Sequence, residues 1–196
     1  MTALKQPVHP SWAFHLDHVH PWAFCKNAIT TEECKKIIEI SNSIQEQKGV
    51  VYGNNADIRC SDISWIYPSK DTEWLYRCIT DIVLSLNNDF FKFDLFGLLE
   101  GLQFTKYSSP GGKYNRHIDS LHNTPVRKLS FSLQLSDEKE YSGGDLCLHL
   151  NSNKVTAPRP QGTFFAFPSY VLHEVEPVTC GTRYSLVGWA TGAPFR

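Results

Sequence analysis

The sequence predicts a mainly β fold, an antiparallel double sheet or barrel of the jelly-roll kind with two N-terminal helices packed on one outer face. Three observations carry this expectation. Short aromatic or β-branched runs recur after residue 90, turn-forming clusters separate them, and two segments before residue 90 show helical periodicity instead.

The first 25 residues are rich in Pro, Trp and His without a clean period and read as an irregular arm with room for one strand. Thr30 and Glu33 have capping-box spacing, and Cys34, Ile37, Ile38 and Ser41 follow at helical intervals, which predicts an amphipathic helix over 31–46. Gly49 to Asp62, with Gly53, Asn54, Asn55 and Asp57, reads as a loop leading to a short segment around Trp65. Trp74, Leu75, Cys78, Ile79, Ile82, Val83 and Leu86 share one face of a second helix over about 71–88. Strand-like runs then follow at Phe91–Phe96, Gly101–Tyr107, Lys128–Ser136, Asp145–Leu150, Thr163–Ala166 and Arg183–Trp189. The breaks are Ser108 to Gly112, Ser142-Gly143-Gly144, Ala157 to Pro160, Pro168-Ser169 and Cys180-Gly181. There is no internal repeat and no low-complexity tract.

The 196 residues fit one domain (1–196), with residues 1–90 supplying arm, helices and lid loop and residues 91–196 the β core. A hydrophobic fraction of 41% with 12 Phe, 8 Tyr and 5 Trp is ample for a core of that size. With 19 Lys+Arg against 20 Asp+Glu, no global field steers the chain to nucleic acid or an anionic membrane. No apolar run is long enough to span a bilayer and no leader pattern is visible, so the chain reads as soluble and cytoplasmic. The six cysteines form no Cys-x-x-Cys pair, which argues against a zinc knuckle or dithiol centre; most are expected to be reduced and buried.

The chemistry concentrates on His117-Ile118-Asp119 and His173. In a strand, side chains two apart share a face, so His117 and Asp119 can point into a barrel together, with His173 joining from a neighbouring strand. Two histidines and one carboxylate leave three adjacent positions open on a metal, as non-haem Fe(II) requires. Spacing alone is weak evidence, because His15-Leu16-Asp17, with His18 and His20 nearby, repeats it; those residues read as ordinary surface histidines. On the run after the first ligands, Ser130, Ser132 and Gln134 alternate with Leu129, Phe131, Leu133 and Leu135. The polar face lines either a wet cavity or bulk solvent. Ser185, Val187 and Trp189 share parity with Arg183 and should face the same way.

Around these residues stand Tyr107, Gly111, Gly112 and Tyr114, then Arg127, Tyr141 to Leu146, Pro168 to Val178, and Gly181 to Trp189. Over about residues 101–190 this joint pattern of His-x-Asp, Gly-Gly, His-x-Val-x-Pro-Val and Gly-x-Arg resembles the prolyl 4-hydroxylase-like Fe(II)/2-oxoglutarate-dependent dioxygenases. The resemblance implies a double-stranded β-helix and the hydroxylation of a C–H bond coupled to decarboxylation of 2-oxoglutarate to succinate. Its reactants would be Fe(II), 2-oxoglutarate and dioxygen, with ascorbate a candidate reductant. Carried over by position, His117, Asp119 and His173 would be the metal ligands, and Arg183 would bind the far carboxylate of 2-oxoglutarate, a task suited to a planar guanidinium fork. Tyr107 would hydrogen-bond the co-substrate or serve as a core aromatic. Ser185 joins it on the co-substrate side, while Gln134 stands where some prolyl hydroxylases place a tyrosine. Tyr114, Arg59 and Trp189 are candidates for the substrate pocket, and residues 50–65 for a lid or an ordinary loop.

The presence of Asp119 favours oxygen transfer over halogenation, since halogenating relatives replace that carboxylate. Trp189 stands where nucleic-acid demethylases carry a second arginine, so nucleic acid is not expected as substrate. A prolyl residue in a peptide or protein is the leading substrate. A free amino acid or other small molecule keeps the same chemistry, and a non-catalytic metal- or ligand-binding β-barrel is the reading from another class.

Overall fold

A computed structural model describes residues 20–49, 58–119 and 126–194. Its elements, in chain order, are β1 (Ala23–Cys25), α1 (Thr31–Asn42), β2 (Gln47–Lys48), β3 (Arg59–Cys60), β4 (Asp62–Ile66) and α2 (Glu73–Leu86). The β core follows as β5 (Leu95–Gly97), β6 (Leu102–Ser108), β7 (Lys113–His117), β8 (Arg127–Gln134), β9 (Tyr141–Gly143) and β10 (Leu146–Leu150). It ends with β11 (Asn153–Thr156), β12 (Phe164–Pro168), β13 (His173–Val175) and β14 (Val178–Gly192).

Helix α1 starts where expected, because Thr30 Oγ1 accepts from the Glu33 amide (3.2 Å) and Glu33 Oε2 accepts from the Thr30 amide (2.9 Å). It stops short of residue 46. Ser43 donates its hydroxyl back to Ile40 O at 2.7 Å and its amide caps the last turn, after which the chain turns into β2. Helix α2 runs into a π-helical turn at Asn87–Phe91, ended by left-handed Lys92, so only residues 95 and 96 of the expected 91–96 run are extended, as the start of β5. The Asn87 side chain fixes that exit by bonding both the amide and the carbonyl of Phe93, each at 2.9 Å.

Two antiparallel sheets form the core. Nine strands make the larger, ordered β1-β12-β8-β14-β6-β4-β2 with β5 and β9 paired to β14; the smaller is β11-β10-β13-β7-β3. The fold class is thus mostly β with two helices, as expected. Alternation on the central strands explains the layering. Leu129, Phe131 and Leu133 of β8, Phe164 and Ala166 of β12, and Leu186 and Ala190 of β14 pack with Ile37, Leu75, Ile79 and Val83 of the helices. Their alternate partners face the smaller sheet, where Tyr107, Phe165 and Phe167 meet Leu146, Leu148 and Val175.

Some local expectations are corrected. Of the segment 50–65, residues 50–57 lie outside the described region, and the rest is not loop: β3 pairs with β7, and β4 pairs with β6. Cys180-Gly181 is not a break but an irregularity inside β14, with Gly181 at φ 72° and the register to β9 shifting there. All six cysteines are free, but only Cys34 and Cys147 are buried; Cys25 and Cys60 are exposed at the ends of the edge strands β1 and β3, and Cys180 at the irregularity in β14. His15, Asp17 and His18 lie outside the described residues, whereas His20 is exposed and packs edge-on to Phe90.

Candidate active site

Strands β7 and β13 pair with His117 directly opposite His173. This register brings two imidazoles from separate chain segments to one point, with ring centroids 4.1 Å apart. Asp119 is not on the strand, as the same-face argument supposed. β7 ends at His117, Ile118 turns outward (46% exposed), and Asp119 sits on the bend beyond, where its amide donates to Ser169 O at 2.9 Å. The carboxylate still reaches the same point, 3.6 Å from His117 Nε2 and 3.5 Å from His173 Nε2.

The ligand atoms of these three residues all lie within 4.8 Å of one another, so the set could hold a metal ion. Second contacts support that reading. His117 Nδ1 lies 2.7 Å from Asn115 O, and His173 Nδ1 lies 2.9 Å from Val171 O, an arrangement that keeps the proton on Nδ1 and turns the Nε2 lone pair inward. Ser130 Oγ donates to Asp119 Oδ2 at 2.7 Å and lies 2.9 Å from Ser169 Oγ, which fixes the carboxylate rotamer. Electrostatics agree. Burial, with His173 close by, pushes His117 down to about 4, so the ring is neutral and able to ligate. Burial alone would raise the Asp119 carboxyl, but the two histidines, Trp189 and Ser130 bring it below the usual carboxylate range. The buried Trp189 Nε1 lies beside that carboxylate without closing a full hydrogen bond.

The three residues open into a cavity of about 230 Å³ between the sheets. Arg183, Ser185, Val187 and Trp189 all line it, as their shared parity predicts. Ser130 and Ser132 line it as well, and together with Gln134 they are at least nine-tenths buried, which rules out the solvent-facing alternative. Arg183 is 4% exposed and has no ion pair among the described residues. Its Nε donates to Gln134 Oε1 at 3.1 Å, Nη1 donates to Ser185 Oγ at 3.5 Å, and its guanidinium stands 5.7 Å from the Tyr107 ring. Tyr107 is opposite Arg183 in the β6–β14 register, and burial holds its phenol protonated against the pull of Arg59 and Arg183.

The other named pocket residues are present too. Tyr114 stacks on His117 with centroids 3.5 Å apart, and the Arg59 guanidinium sits 4.7 Å from the Tyr114 ring. Trp189 forms a wall with Trp65 (6.2 Å), and the Arg127 guanidinium lies 3.8 Å from its ring centroid while its Nε donates to Glu100 at 2.7 Å.

Several contributors escaped the sequence reading. Ser169 and the bond from Ser130 to Asp119 depend on how the Asp119 bend meets β8 and β12, which no local pattern encodes. Tyr141 is another: its hydroxyl accepts from Gln134 Nε2 at 2.9 Å. Phe167, whose ring packs 4.6 Å from His173, could have been found from the alternation of β12. Gly144, with φ 68°, lies where a Cβ would come 3.2 Å from Arg183 Cδ and 2.8 Å from Val178, so the Gly-Gly pair lets the chain pass beside the arginine.

The fold and this site combine two packed antiparallel sheets with a candidate metal set of two histidines and one carboxylate. Residues 102–191 match the 2OG-Fe(II) oxygenase superfamily model. A PKHD-type hydroxylase of Prochlorococcus marinus is 42% identical over 92 residues, 46% of this chain and 41% of that protein. One from Acaryochloris marina is 38% identical over 89 residues, 45% of this chain and 40% of that protein. The chain therefore matches less than half the length of these curated relatives. Among solved structures, a Trichoplax adhaerens prolyl hydroxylase in complex with a hypoxia inducible factor peptide fragment superposes with TM-score 0.74 at 20% identity, covering 88% of this chain and 84% of that one. A Pseudomonas putida prolyl-4-hydroxylase gives 0.69 at 22% identity, covering 89% and 94%. Sequence match, fold and site together support a likeness to the prolyl 4-hydroxylase-like 2OG-Fe(II) oxygenases, a family whose reactants are Fe(II), 2-oxoglutarate and dioxygen. No helix among the described residues is long and apolar enough to cross a membrane.

Proposed function

We propose that the chain, acting as one domain, hydroxylates a C–H bond of a prolyl residue in a peptide or protein while decarboxylating 2-oxoglutarate to succinate. The observation that carries this is the set of His117, Asp119 and His173 in the same cavity as a buried Arg183 that has no carboxylate partner among the described residues. A buried guanidinium held only by neutral groups is stable once an anion reaches it, and the far carboxylate of 2-oxoglutarate is that anion.

His117 Nε2, His173 Nε2 and an Asp119 oxygen would hold the metal, leaving the cavity side open. Bound there, Fe(II) would supply the dioxygen chemistry that couples co-substrate decarboxylation to C–H oxidation. Arg183 anchors the co-substrate, and Gln134 and Ser185 hold the guanidinium in plane. Tyr107, protonated, is placed to donate to a co-substrate oxygen. The aromatic walls Tyr114 and Trp189 present flat faces to a ring-sized substrate and exclude water. The likeness to a PKHD-type hydroxylase and to prolyl hydroxylase structures supports a prolyl substrate.

Succinate release tests the proposal. It should rise with proline-containing peptides, and the peptide should gain the mass of one oxygen. Stimulation by small molecules alone would replace the peptide substrate with a metabolite, and no succinate from any pool would favour a non-catalytic binding barrel.

A further inference from the structure

The cavity holds a second buried cation, Arg59, besides the proposed co-substrate anchor Arg183. Arg59 is 8% exposed and lines the cavity from β3 of the smaller sheet, whereas Arg183 comes from β14 of the larger. Its hydrogen bonds go to neutral groups: Nε donates to Ser61 Oγ at 2.9 Å, and Nη2 donates to Gln103 Oε1 at 2.8 Å. Among the described residues Arg59 makes no ion pair, although Arg127, at the same cavity, has Glu100.

The charge count is simple. Arg59 and Arg183 each bring one positive charge and Asp119 one negative, while Arg127 is balanced by Glu100. A divalent metal and the 2-oxoglutarate dianion cancel each other, so among the described residues a single positive charge remains once both are bound. Away from bulk water an unbalanced guanidinium loses hydration that neutral groups do not fully restore, and a carboxylate is the partner its fork fits.

The guanidinium is held as a built site. Four segments converge on it: Ser61, Gln103, the ring of Tyr114, and Gly49, where an added Cβ would come 2.6 Å from Arg59 Nε. Tyr114 also stacks on His117, so Arg59 stands one ring away from the candidate metal ligands. A carboxylate one or two bonds, or one side chain, from the reacting carbon would reach it.

We propose that Arg59 is a recognition site for a carboxylate on the substrate, and that this enzyme acts on anionic substrates. The inference rests on the hydroxylase reading above. The carboxylate has two sources: the α-carboxylate of a free imino acid, or an acidic residue beside the target proline in a peptide.

Binding decides the matter without turnover. Protein loaded with Mn(II) and 2-oxoglutarate under argon is titrated by calorimetry, and by the fluorescence of Trp65 and Trp189, with three matched pairs. These are L-proline against L-prolinamide, N-acetyl-Pro-Glu-amide against N-acetyl-Pro-Gln-amide, and cyclopentanecarboxylate against cyclopentanecarboxamide. In at least one pair the carboxylate should bind about ten-fold tighter, as a charge-assisted hydrogen bond would give. Arg59→Gln should bring that preference to roughly two-fold or less with 2-oxoglutarate affinity little changed.

Preference in the first pair identifies a free imino acid, and in the second an acidic peptide. Preference in the third pair alone upholds Arg59 and overturns the prolyl reading. No preference in any pair of the native protein overturns the role of Arg59 without need of a variant, and prolyl peptides that still release succinate would then leave the hydroxylase reading standing. A preference that survives Arg59→Gln, or a ten-fold loss of 2-oxoglutarate affinity in that variant, overturns it as well.

Discussion

Gln134 accepts a hydrogen bond from Arg183 Nε at 3.1 Å and is itself held by its amide donation to the Tyr141 hydroxyl at 2.9 Å. A neutral side chain thereby sets the plane of a buried guanidinium across neighbouring strands. Gln134→Leu should weaken 2-oxoglutarate binding about ten-fold, since a bond to a charged group is lost and Nε is left unpaired. Arg183→Ala should weaken it by about a hundred-fold or more. Calorimetry with Mn(II)-loaded protein under argon checks both, and equal affinities in wild type and Gln134→Leu would remove Gln134 from the anchor.

Ser130 reaches the metal set only through Asp119. Ser130→Ala should lower Mn(II) affinity about ten-fold while leaving the three ligands in place, as loss of an outer-sphere partner does. His173→Ala should abolish binding. An unchanged affinity in Ser130→Ala would mean that the Asp119 rotamer is set by the Asp119 and Ser169 backbone alone.

Metal removal should cost stability as well as activity. The three ligand residues are drawn together from β7, the bend after it and β13, so an ion ties these segments in the folded state only. At a hundred-fold excess over the dissociation constant this stabilises by about 2.7 kcal/mol, a melting shift of roughly 5–10 °C in a chain of this size. Matched thermal melts with Mn(II) and with a chelator measure it.

Cys34 is fully buried against the helix–sheet core, and burial pushes its thiol up to about 11 from 9.0. A raised pKa favours the protonated form in the folded state, so this contribution is complete below pH 9 and is lost as pH rises through 11. Between pH 8 and 10.5 wild type should lose up to about 2 kcal/mol more than Cys34→Ala, in which this titration is absent. Urea midpoints give the comparison, and parallel losses would refute the burial account. Native alkylation should label Cys25, Cys60 and Cys180 first.

Alternation made the cavity wall legible in the sequence. Once β14 is taken as a strand, the parity of Arg183, Ser185, Val187 and Trp189 puts all four on one face, and the even positions of β8 join them by the same argument. The helix starts were legible for a similar reason, because the Thr30 and Glu33 cap is local. What the pattern could not carry was register. The pairing of His117 with His173, the reach of Ser130 to Asp119, and the bond from Gln134 to Tyr141 all depend on how distant segments align. The strands at 59–66 were hidden because polar residues and a preceding Gly/Asn stretch resemble a loop, and only pairing with β6 and β7 makes them extended.

Strand β14 carries both Arg183 and Trp189, roughly 20 Å apart along an extended backbone. The strand therefore works as a gauge between the proposed co-substrate anchor and the indole beside the Asp119 carboxylate. It cannot be reset in small steps: a slip of one residue would turn its polar face toward the helices, and a slip of two would move Arg183 away from Tyr107 and Ser185 away from Gln134. Selectivity for substrate size has to be tuned from the opposite sheet and its loops, while the dimension of the co-substrate end is locked into the hydrogen-bonded ladder itself.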